Sequence, residues 1–408
     1  MPESCFFFAY MRGFSHNNER GDYMKKYLRL TAAILVPLMI FACFSLCVFA
    51  DVPSSDFKVD AKSAILMEAS TGKVLFEQNA DEALPPASVT KVMTLLLVME
   101  AIDSGAISLE DTVSASAHAS SMGGSQIYLK EGEQMTVEDL VKSVVISSAN
   151  DAAVALAEYV AGSEEAFVSK MNEKAAELGM ANTKFENTNG LDDTVTSHLT
   201  SARDIAIMSR ELISHKKILE YSSIWMDTIR GGAFGLTNTN RLIRFYKGAN
   251  GLKTGSTSKA KFCISATAER DGMTLIAVVM GSPTRDIRNA ETTKLLDFGF
   301  ANYGLYSCAG ERVGEIRVLG GVKDSCEAAH GDFSAVVSAS EKGKIEKVVE
   351  LSEKISAPVH AGDVVGNVKF FSGETEIGSV PVTAGSDVPK ISFFGVFQQI
   401  LRYFCLTR

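Results

Sequence analysis

The chain has 408 residues, of which 46% are hydrophobic and 22% are charged. This balance is typical of folded domains and excludes a disordered or fibrous protein, and the length predicts two or three domains. The 40 basic and 49 acidic residues give a net charge of -9, which excludes a general nucleic-acid binder because such proteins need a cationic surface.

Residues 1–50 are predicted to be processed rather than folded. A basic stretch begins at Met24 and leads into an uncharged apolar run over 30–49, followed by Ala50. This order is typical of a secretory signal peptide cleaved after Ala50, so we expect an exported protein and interpret the residues before Met24 as an upstream extension. A retained membrane-spanning helix and lipid attachment at Cys43 are the alternatives.

The cysteines that follow the signal segment are widely spaced and form no metal-binding pattern with histidines. We therefore expect neither a metal nor an organic cofactor. Export into an oxidising compartment would allow Cys308 and Cys326 to pair, but the spacing alone does not decide it, and we treat them as free. The four cysteines of this part are Cys263, Cys308, Cys326 and Cys405.

The first folded domain is predicted over 51–306, because strand-like and helical segments alternate there as in an α/β or α+β domain. Two apolar runs within 64–76, joined by a turn of Ser, Thr and Gly, predict a hairpin. The apolar stretch 92–99 predicts a buried helix. The segments 262–268 and 275–280 predict adjacent strands.

Ser88 and Lys91 lie three residues apart where that helix is expected to begin, so the two side chains share a face. A serine hydroxyl is a weak nucleophile until a base removes its proton, and a lysine of lowered pKa serves as such a base. The helix N-terminus adds backbone N–H groups for an oxyanion. The same spacing occurs at 214–217 and 256–259, so this pattern alone indicates little.

Two further motifs follow in order. Ser148 and Asn150 form an S-x-N motif 60 residues after the first serine, and Lys253, Thr254 and Gly255 form a K-T-G motif. Each alone has a structural explanation, as a helix cap or as the end of a strand. Together with S-x-x-K, in this order, they are the motif set of penicillin-recognising enzymes.

Residues 56–385 resemble the low-molecular-weight penicillin-binding proteins of the D-alanyl-D-alanine carboxypeptidase type, a family of serine peptidases. The resemblance implies the penicillin-binding, beta-lactamase-like transpeptidase fold of the α/β (α+β) class. The segment 187–204 is similar to the family's middle segment and is interpreted as structural. The stretches that carry the resemblance are 86–94, 150–158, 251–257 and 291–298.

The resemblance also implies catalytic roles. Ser88 is the acyl-accepting nucleophile and Lys91 is its base. Ser148 relays a proton to the leaving amine, and Asn150 hydrogen-bonds the acyl-side amide of the substrate. Lys253 supplies positive charge beside Ser148.

The implied substrate-binding residues follow from the same resemblance. Thr254 helps to hold the terminal carboxylate, and Gly255 belongs to the same strand. The backbone N–H groups of Ser256 and of the nucleophile form the oxyanion hole. Arg288 is expected to bind the carboxylate, with Arg285 as its competitor for that role.

The reaction implied is removal of the terminal D-alanine from peptidoglycan stem peptides through an acyl-serine, with beta-lactams as covalent inhibitors. A class A-like beta-lactamase is the enzymatic alternative, and Glu186 is the glutamate that it would need. A non-catalytic sensor or scaffold of the same fold is the other alternative. The sequence leaves the division of the acyl-enzyme between hydrolysis and transpeptidation open.

Short strand-like runs broken by glycine predict a small all-β domain over 307–388. The final segment, 389–408, places its apolar residues at helical spacing and predicts an amphipathic helix. Such a helix suits the membrane interface, so we expect attachment to the outer face of the cytoplasmic membrane, with packing on the β domain as the alternative. The apolar positions are Phe393, Val396, Phe397, Ile400, Leu401 and Phe404.

Overall fold

Helices and strands alternate through the first part of the computed structural model, and strands dominate the second. The structure describes residues 57–193 and 195–406, so the expected signal segment lies outside the described residues. The helices are α1 (Lys91–Asp103), α2 (Ala117–Ser120), α3 (Val137–Ser147), α4 (Asn150–Ala161), α5 (Glu164–Glu177), α6 (Ala202–Leu212), α7 (Lys217–Ser222), α8 (Leu242–Phe245), α9 (Arg285–Asn302) and α10 (Phe393–Leu406).

The strands of both parts range from three to ten residues in length. They are β1 (Ser63–Glu68), β2 (Val74–Gln78), β3 (Thr112–Ser114), β4 (Gln134–Thr136), β5 (Met226–Ile229), β6 (Phe234–Thr237), β7 (Ala249–Thr257), β8 (Lys261–Arg270), β9 (Met273–Ser282), β10 (Tyr303–Cys308), β11 (Arg312–Leu319), β12 (Ser325–His330), β13 (Phe333–Ser338), β14 (Ile345–Leu351), β15 (Lys354–Ser356), β16 (Val364–Ser372) and β17 (Thr375–Ala384).

A five-stranded antiparallel sheet in the order β2-β1-β9-β8-β7 forms the centre of the first part. The predicted hairpin is confirmed as β1 and β2, in which Leu66 pairs with Phe76. The two predicted adjacent strands are confirmed as β8 and β9, in which Ile264 pairs with Val279. The strand that carries K-T-G, β7, lies at one edge of this sheet, so its outer side is free to border a cleft.

The predicted buried helix is confirmed as α1, and every residue from 91 to 99 in it is buried. A helix that is apolar on all sides belongs inside a core rather than on a surface. α1 packs against α4 and α6. The core therefore fixes the residues at the start of α1, where the S-x-x-K motif lies.

The second part contains a six-stranded sheet in the order β14-β16-β17-β12-β11-β15, with its own core around Phe370 and Val368. A separate pair, β10 and β13, lies between this sheet and the first part, and Val336 of β13 packs in the core of the central sheet. The expected all-β domain is therefore confirmed. Within it, Cys308 and Cys326 are both free thiols.

The C-terminal helix predicted from the apolar spacing is confirmed as α10. Its large apolar side chains face outward: Phe393 is 83% exposed and Phe397 is 53% exposed. Among the described residues, we find no helix with the length and apolar character needed to cross a bilayer.

Candidate active site

Ser88 lies in a single 3-10 turn, Ala87–Thr90, immediately before α1. Ala87 has φ of 51°, in the left-handed region that residues with a Cβ rarely adopt. The turn is braced by Gly190, where an added Cβ would lie 1.8 Å from the Ala87 carbonyl oxygen. Tight packing from the middle segment therefore holds Ala87, the residue before the serine, in a backbone conformation that it would rarely adopt alone.

Lys91 is completely buried, and its amine contacts three oxygens. Nζ lies 2.9 Å from Ser88 Oγ, 2.6 Å from Asn150 Oδ1 and 2.8 Å from the Asn189 carbonyl oxygen. Burial, assisted by the nearby Lys253 cation, lowers the pKa of Lys91 well below its ordinary value. A neutral amine fits these contacts, because its two N–H groups donate to the two amide oxygens and its lone pair faces the serine hydroxyl.

The S-x-N motif occupies the junction of two helices. Ser148 ends α3 in the left-handed conformation, with φ of 65°, and Asn150 begins α4. The Asn150 backbone N–H donates to the Ser125 carbonyl oxygen at 2.7 Å, and its side-chain Nδ2 donates to the Gly123 carbonyl oxygen at 2.7 Å. Asn150 thus joins the Lys91 amine to the loop that borders the cleft.

The K-T-G motif of β7 lies against the Ser88 turn. Lys253 is buried, donates to the Thr254 carbonyl oxygen at 2.9 Å, and has its pKa lowered to about 7 by burial and by the Arg288 guanidinium. A Cβ added at Gly255 would lie 2.8 Å from the Ser88 backbone nitrogen. Glycine at this position therefore allows the strand and the serine turn to approach at backbone distance.

The structure distinguishes between the two candidate arginines. Arg288 is buried, and its guanidinium donates to Asn289 Oδ1 at 2.8 Å and to the Cys263 carbonyl oxygen at 3.4 Å. Burial and the neighbouring Arg285 cation lower the pKa of Arg288 to about 10. Arg285 is exposed, and both arginines line the same cleft. These contacts fix the orientation of the Arg288 guanidinium, whereas the Arg285 side chain is open to solvent.

A cleft of about 690 Å³ brings the predicted residues together. Lys91, Asn150 and Lys253 lie buried beneath its wall rather than in it. Trp225 and Phe245 add aromatic surface to its rim. The predicted residues that line the cleft are Ser88, Ser148, Thr254, Gly255, Ser256 and Arg288.

Motif analysis missed the part played by His198. Its Nδ1 accepts the Glu186 backbone N–H at 2.9 Å, and its Nε2 lies 2.7 Å from Thr90 Oγ1. Burial lowers the pKa of His198 to about 4, so the ring is neutral at neutral pH and Nε2 carries the hydrogen. Thr90 Oγ1 in turn donates to the Ala87 carbonyl oxygen at 2.8 Å. This chain of hydrogen bonds connects the middle segment to the turn that carries Ser88.

Glu186, the glutamate of the beta-lactamase alternative, makes its contacts away from the cleft. Its carboxylate accepts the Ser197 backbone N–H at 3.0 Å and lies 3.4 Å from Lys184 Nζ. It is not among the residues that line the cleft. The geometry therefore gives no support to Glu186 as a base for a deacylating water.

A serine hydroxyl at a buried amine, at the start of a core helix and against a strand edge, defines an acyl-transfer enzyme of the active-site serine class. The chain belongs to the D-alanyl-D-alanine carboxypeptidase family, whose model matches residues 50–284. A second model, described as the C-terminal domain of penicillin-binding protein 5, matches residues 304–390. These matches confirm the resemblance and the expected fold.

Curated relatives cover nearly the whole chain. It is 41% identical to the D-alanyl-D-alanine carboxypeptidase DacF of Bacillus subtilis, over 90% of this chain and 96% of that protein. It is 36% identical to DacC of Escherichia coli, over 83% of this chain and 86% of that protein. The expected enzyme class, a serine D-alanyl-D-alanine carboxypeptidase, is therefore confirmed.

Solved structures agree with these relatives. Penicillin-binding protein 5 from Haemophilus influenzae matches with a TM-score of 0.73 and 32% identity, over 82% of this chain and 99% of that chain. Penicillin-binding protein D2 from Listeria monocytogenes, in its ampicillin-bound form, matches with a TM-score of 0.56 and 34% identity, over 60% of this chain and 100% of that chain.

Proposed function

We propose that the chain removes the terminal D-alanine from peptidoglycan stem peptides through an acyl intermediate on Ser88. The observation that carries this proposal is the 2.9 Å contact between Ser88 Oγ and the buried Lys91 amine. The names of the curated relatives support the substrate class, since they are D-alanyl-D-alanine carboxypeptidases. Acylation uses Ser88 as the nucleophile and Lys91 as its base. The later steps use the residues around them in the cleft.

In the acylation step, neutral Lys91 accepts the Ser88 proton while the serine oxygen bonds to the carbonyl carbon of the penultimate D-alanine. The backbone N–H groups of Ser88 and Ser256 donate to the oxyanion, a site where losing one donor costs about 3 to 4 kcal/mol of barrier. The C–N bond breaks as the proton reaches the leaving amine through Ser148. The Lys253 ammonium stabilises negative charge along this route.

The substrate is held at both ends of the scissile bond. The hydroxyl of Thr254 and the guanidinium of Arg288 bind the terminal carboxylate. Asn150 binds the acyl-side carbonyl oxygen, because its Nδ2 carries a second N–H besides the one donated to Gly123. Water then attacks the acyl-serine, Lys91 accepts the water proton, and the serine hydroxyl is restored.

Intact-protein mass spectrometry after benzylpenicillin treatment tests the nucleophile, alongside D-alanine release from a diacyl-D-Ala-D-Ala peptide. We expect a stable penicilloyl adduct and D-alanine release for the wild type and neither for Ser88→Ala. Ser125→Ala is the matched control, since Ser125 also lines the cleft but has no assigned hydroxyl role. Rapid drug turnover without D-alanine release would instead indicate a beta-lactamase, and neither signal would indicate a scaffold.

We also propose that α10 attaches the exported protein to the outer face of the cytoplasmic membrane, with 51–306 as catalytic domain, 307–388 as β domain and 389–408 as anchor. The exposed aromatic side chains of α10 support this, because such a surface binds well at a lipid interface. The expected signal peptide, cleaved after Ala50, directs the export.

Co-sedimentation of the protein with lipid vesicles tests the anchor. We expect the wild type to sediment with vesicles and the double variant Phe393→Ser/Phe397→Ser to remain in the supernatant with unchanged D-alanine release. Phe245→Ser is the matched control, because Phe245 is 73% exposed but lies at the rim of the cleft. Equal sedimentation of the wild type and the double variant would contradict anchoring by α10.

A further inference from the structure

The Lys91 amine is oriented by two amide oxygens that belong to different segments of the chain. One is Asn150 Oδ1, at 2.6 Å, and the other is the Asn189 carbonyl oxygen, at 2.8 Å. A backbone carbonyl is aimed by the peptide units around it, and a side-chain amide is aimed by its other hydrogen bonds. The direction of the amine therefore depends on what holds the chain beside Asn189 and what holds the Asn150 side chain.

Glu164, the first residue of α5, holds the residue that precedes Asn189. Its Oε1 accepts the Thr188 backbone N–H at 3.0 Å and the Thr188 hydroxyl at 2.7 Å. Thr188 is completely buried, and its carbonyl oxygen accepts the hydroxyl of Thr94 in α1 at 2.6 Å. Thr188 is thus fixed between α5 and α1, directly before the carbonyl group that accepts a hydrogen bond from Lys91.

The second oxygen of the same carboxylate binds the segment that holds Asn150. Glu164 Oε2 lies 2.7 Å from Nε2 of His118 in α2, and this hydrogen bond raises the pKa of His118. Shortly after α2, the Gly123 carbonyl oxygen accepts Asn150 Nδ2 at 2.7 Å. One carboxylate therefore contacts both of the segments that carry or hold the amide partners of the catalytic amine.

Glu164 itself lies outside the reacting groups. Its side chain is 13% exposed, it is not among the residues that line the catalytic cleft, and its hydrogen bonds go to Thr188 and His118. Hydrogen bonds to a charged carboxylate are shorter and stronger than those between neutral groups. Glu164 is therefore placed to act on the site only through the two segments that it holds.

We propose that Glu164 is a positioning residue for acylation, which keeps the Lys91 amine directed at the Ser88 hydroxyl by fixing the segments behind its two amide acceptors. The inference rests on the proposed function, because it requires Lys91 to act as the base. A misplacement of about 1 Å lowers a rate on the order of a hundredfold. A small shift of the Asn189 carbonyl therefore slows acylation, while the residues that bind the ligand stay in place.

Stopped-flow acylation by benzylpenicillin tests this role, because it separates the Kd of the initial complex from the limiting rate constant of acylation. We expect Glu164→Ala to lower the limiting rate constant by about tenfold or more and to leave Kd within about twofold of the wild type. Glu164→Gln should retain most of the rate, because its amide oxygen still accepts both bonds from Thr188. His118→Ala, which releases α2 from Glu164, should lower the rate constant by about threefold or more.

The pH profile of the same rate constant gives a readout that a loss of stability would not move. Its acid limb reports protonation of Lys91, whose pKa is set by burial, the Lys253 cation and the Asp151 carboxylate, and the variants keep all three. An oxygen acceptor favours the ammonium over the neutral amine. Loosening the Asn189 carbonyl should therefore move the acid limb to lower pH in Glu164→Ala.

Asp204→Ala is the matched control. The buried Asp204 carboxylate also accepts a backbone N–H and a threonine hydroxyl, from Asn182 at 2.9 Å and from Thr183 at 2.7 Å, but neither partner contacts Lys91. It should lower the free energy of unfolding in urea while the limiting rate constant and the acid limb stay at wild-type values. If this variant does not fold, as judged by circular dichroism, Asp204→Asn serves the same comparison.

A limiting rate constant or an acid limb in Glu164→Ala equal to that of the wild type would overturn the inference. An equal loss of rate in the Asp204 control would also overturn it, since general destabilisation would then be the cause. An unchanged His118→Ala would remove α2 from the proposed arrangement. A wild type that benzylpenicillin does not acylate would contradict the proposed function itself and is distinguishable from these outcomes.

Discussion

At the residue scale, two buried lysines have opposite protonation requirements under the proposed mechanism. Lys91 acts as a base and must be neutral, whereas Lys253 supplies charge and must be protonated. Burial lowers the pKa of both, and the Lys253 cation lowers the pKa of Lys91 further. The protonation of Lys91 is therefore coupled to that of Lys253.

This coupling gives a prediction for the pH dependence of penicillin acylation. Lys253 loses its proton as pH rises through its pKa of about 7, so we expect the acylation rate constant of the free enzyme to fall on the alkaline side of neutrality. Lys253→Arg should move this fall to higher pH, because arginine stays protonated, although the larger side chain lowers the maximum rate. Stopped-flow acylation from pH 5 to 10 measures both profiles.

Lys259→Arg is the control for that profile, since Lys259 donates to the Asp192 carbonyl oxygen at 2.5 Å and does not line the catalytic cleft. It should leave the alkaline limb where the wild type has it. An alkaline limb at the same pH in Lys253→Arg would exclude Lys253 as the group that titrates.

His198 gives a second prediction, on stability. Its pKa is about 4 in the folded chain and near 6.5 when unfolded, so the unfolded state binds the extra proton first as pH falls. The free energy of unfolding should therefore decrease from pH 6.5 to about pH 4, by an amount on the order of 3 kcal/mol from this residue. His198→Gln should remove most of this dependence in urea unfolding at pH 7 and 4.

The exposed histidine His360 supplies the control, and His360→Gln should preserve the wild-type loss of stability in acid. If His198→Gln lost as much stability in acid as the wild type, protonation of a buried His198 would not be the cause.

The sequence predicted the residues that carry recognisable motifs. The family resemblance was enough to predict that these residues form one site. It did not predict the role of His198, because that role depends on hydrogen bonds to Thr90 and Glu186, and Thr90 lies 108 residues away in sequence. Nor did it predict the Asn189 carbonyl oxygen as a partner of Lys91, since a backbone acceptor has no residue signature. Contacts of this kind arise from tertiary packing alone.

At the scale of the element, the edge of β7 and the Ser88 turn are in backbone contact because residue 255 is a glycine. Gly255→Ala would place a Cβ 2.8 Å from the Ser88 nitrogen and the Pro86 carbonyl oxygen, so the strand and the turn must separate. Since both proposed oxyanion donors lie at this contact, we expect kcat/KM to fall at least a hundredfold, in line with the cost of one lost donor. Steady-state D-alanine release measures the loss.

Gly235→Ala in β6 is the matched control, because a Cβ there meets nothing within 4 Å. It should retain wild-type kcat/KM. Full activity in Gly255→Ala would mean that the oxyanion donors do not depend on this contact.

Element prediction succeeded where the apolar pattern was strong and failed where the backbone is irregular. The buried helix α1 and the strands β8 and β9 follow from long apolar runs. The loop from Gly123 to Leu129 has no periodic pattern, and its conformation depends on the Asp151 carboxylate. The shape of this loop was therefore not predictable from the sequence.

At the scale of the whole molecule, β13 connects the two parts of the chain. Val336 belongs to the same buried cluster as Leu66 and Leu275 of the central sheet, and its carbonyl oxygen accepts a hydrogen bond from Lys73 Nζ at 3.1 Å. We expect Val336→Ala to destabilise the catalytic part by about 2 kcal/mol, although the residue lies in the C-terminal part. Trp225, the single tryptophan of the sequence, reports unfolding of the catalytic part by fluorescence.

Val382→Ala is the control, since Val382 is equally apolar and buried but packs only within the core of the six-stranded sheet. It should lower the midpoint of the Trp225 transition less than Val336→Ala does. The reverse order would show that the two parts do not share a core through β13.

The burial of the catalytic set also constrains how drug resistance arises. Under the proposed mechanism, penicillin and the stem peptide use the same serine, the same amine and the same strand edge. Lys91, Asn150 and Lys253 are enclosed by packing that tolerates little change. A substitution there that slows the drug slows the natural reaction as well. We therefore expect substitutions that confer resistance to lie at the exposed rim, at positions such as Phe245, where a change does not disturb this packing.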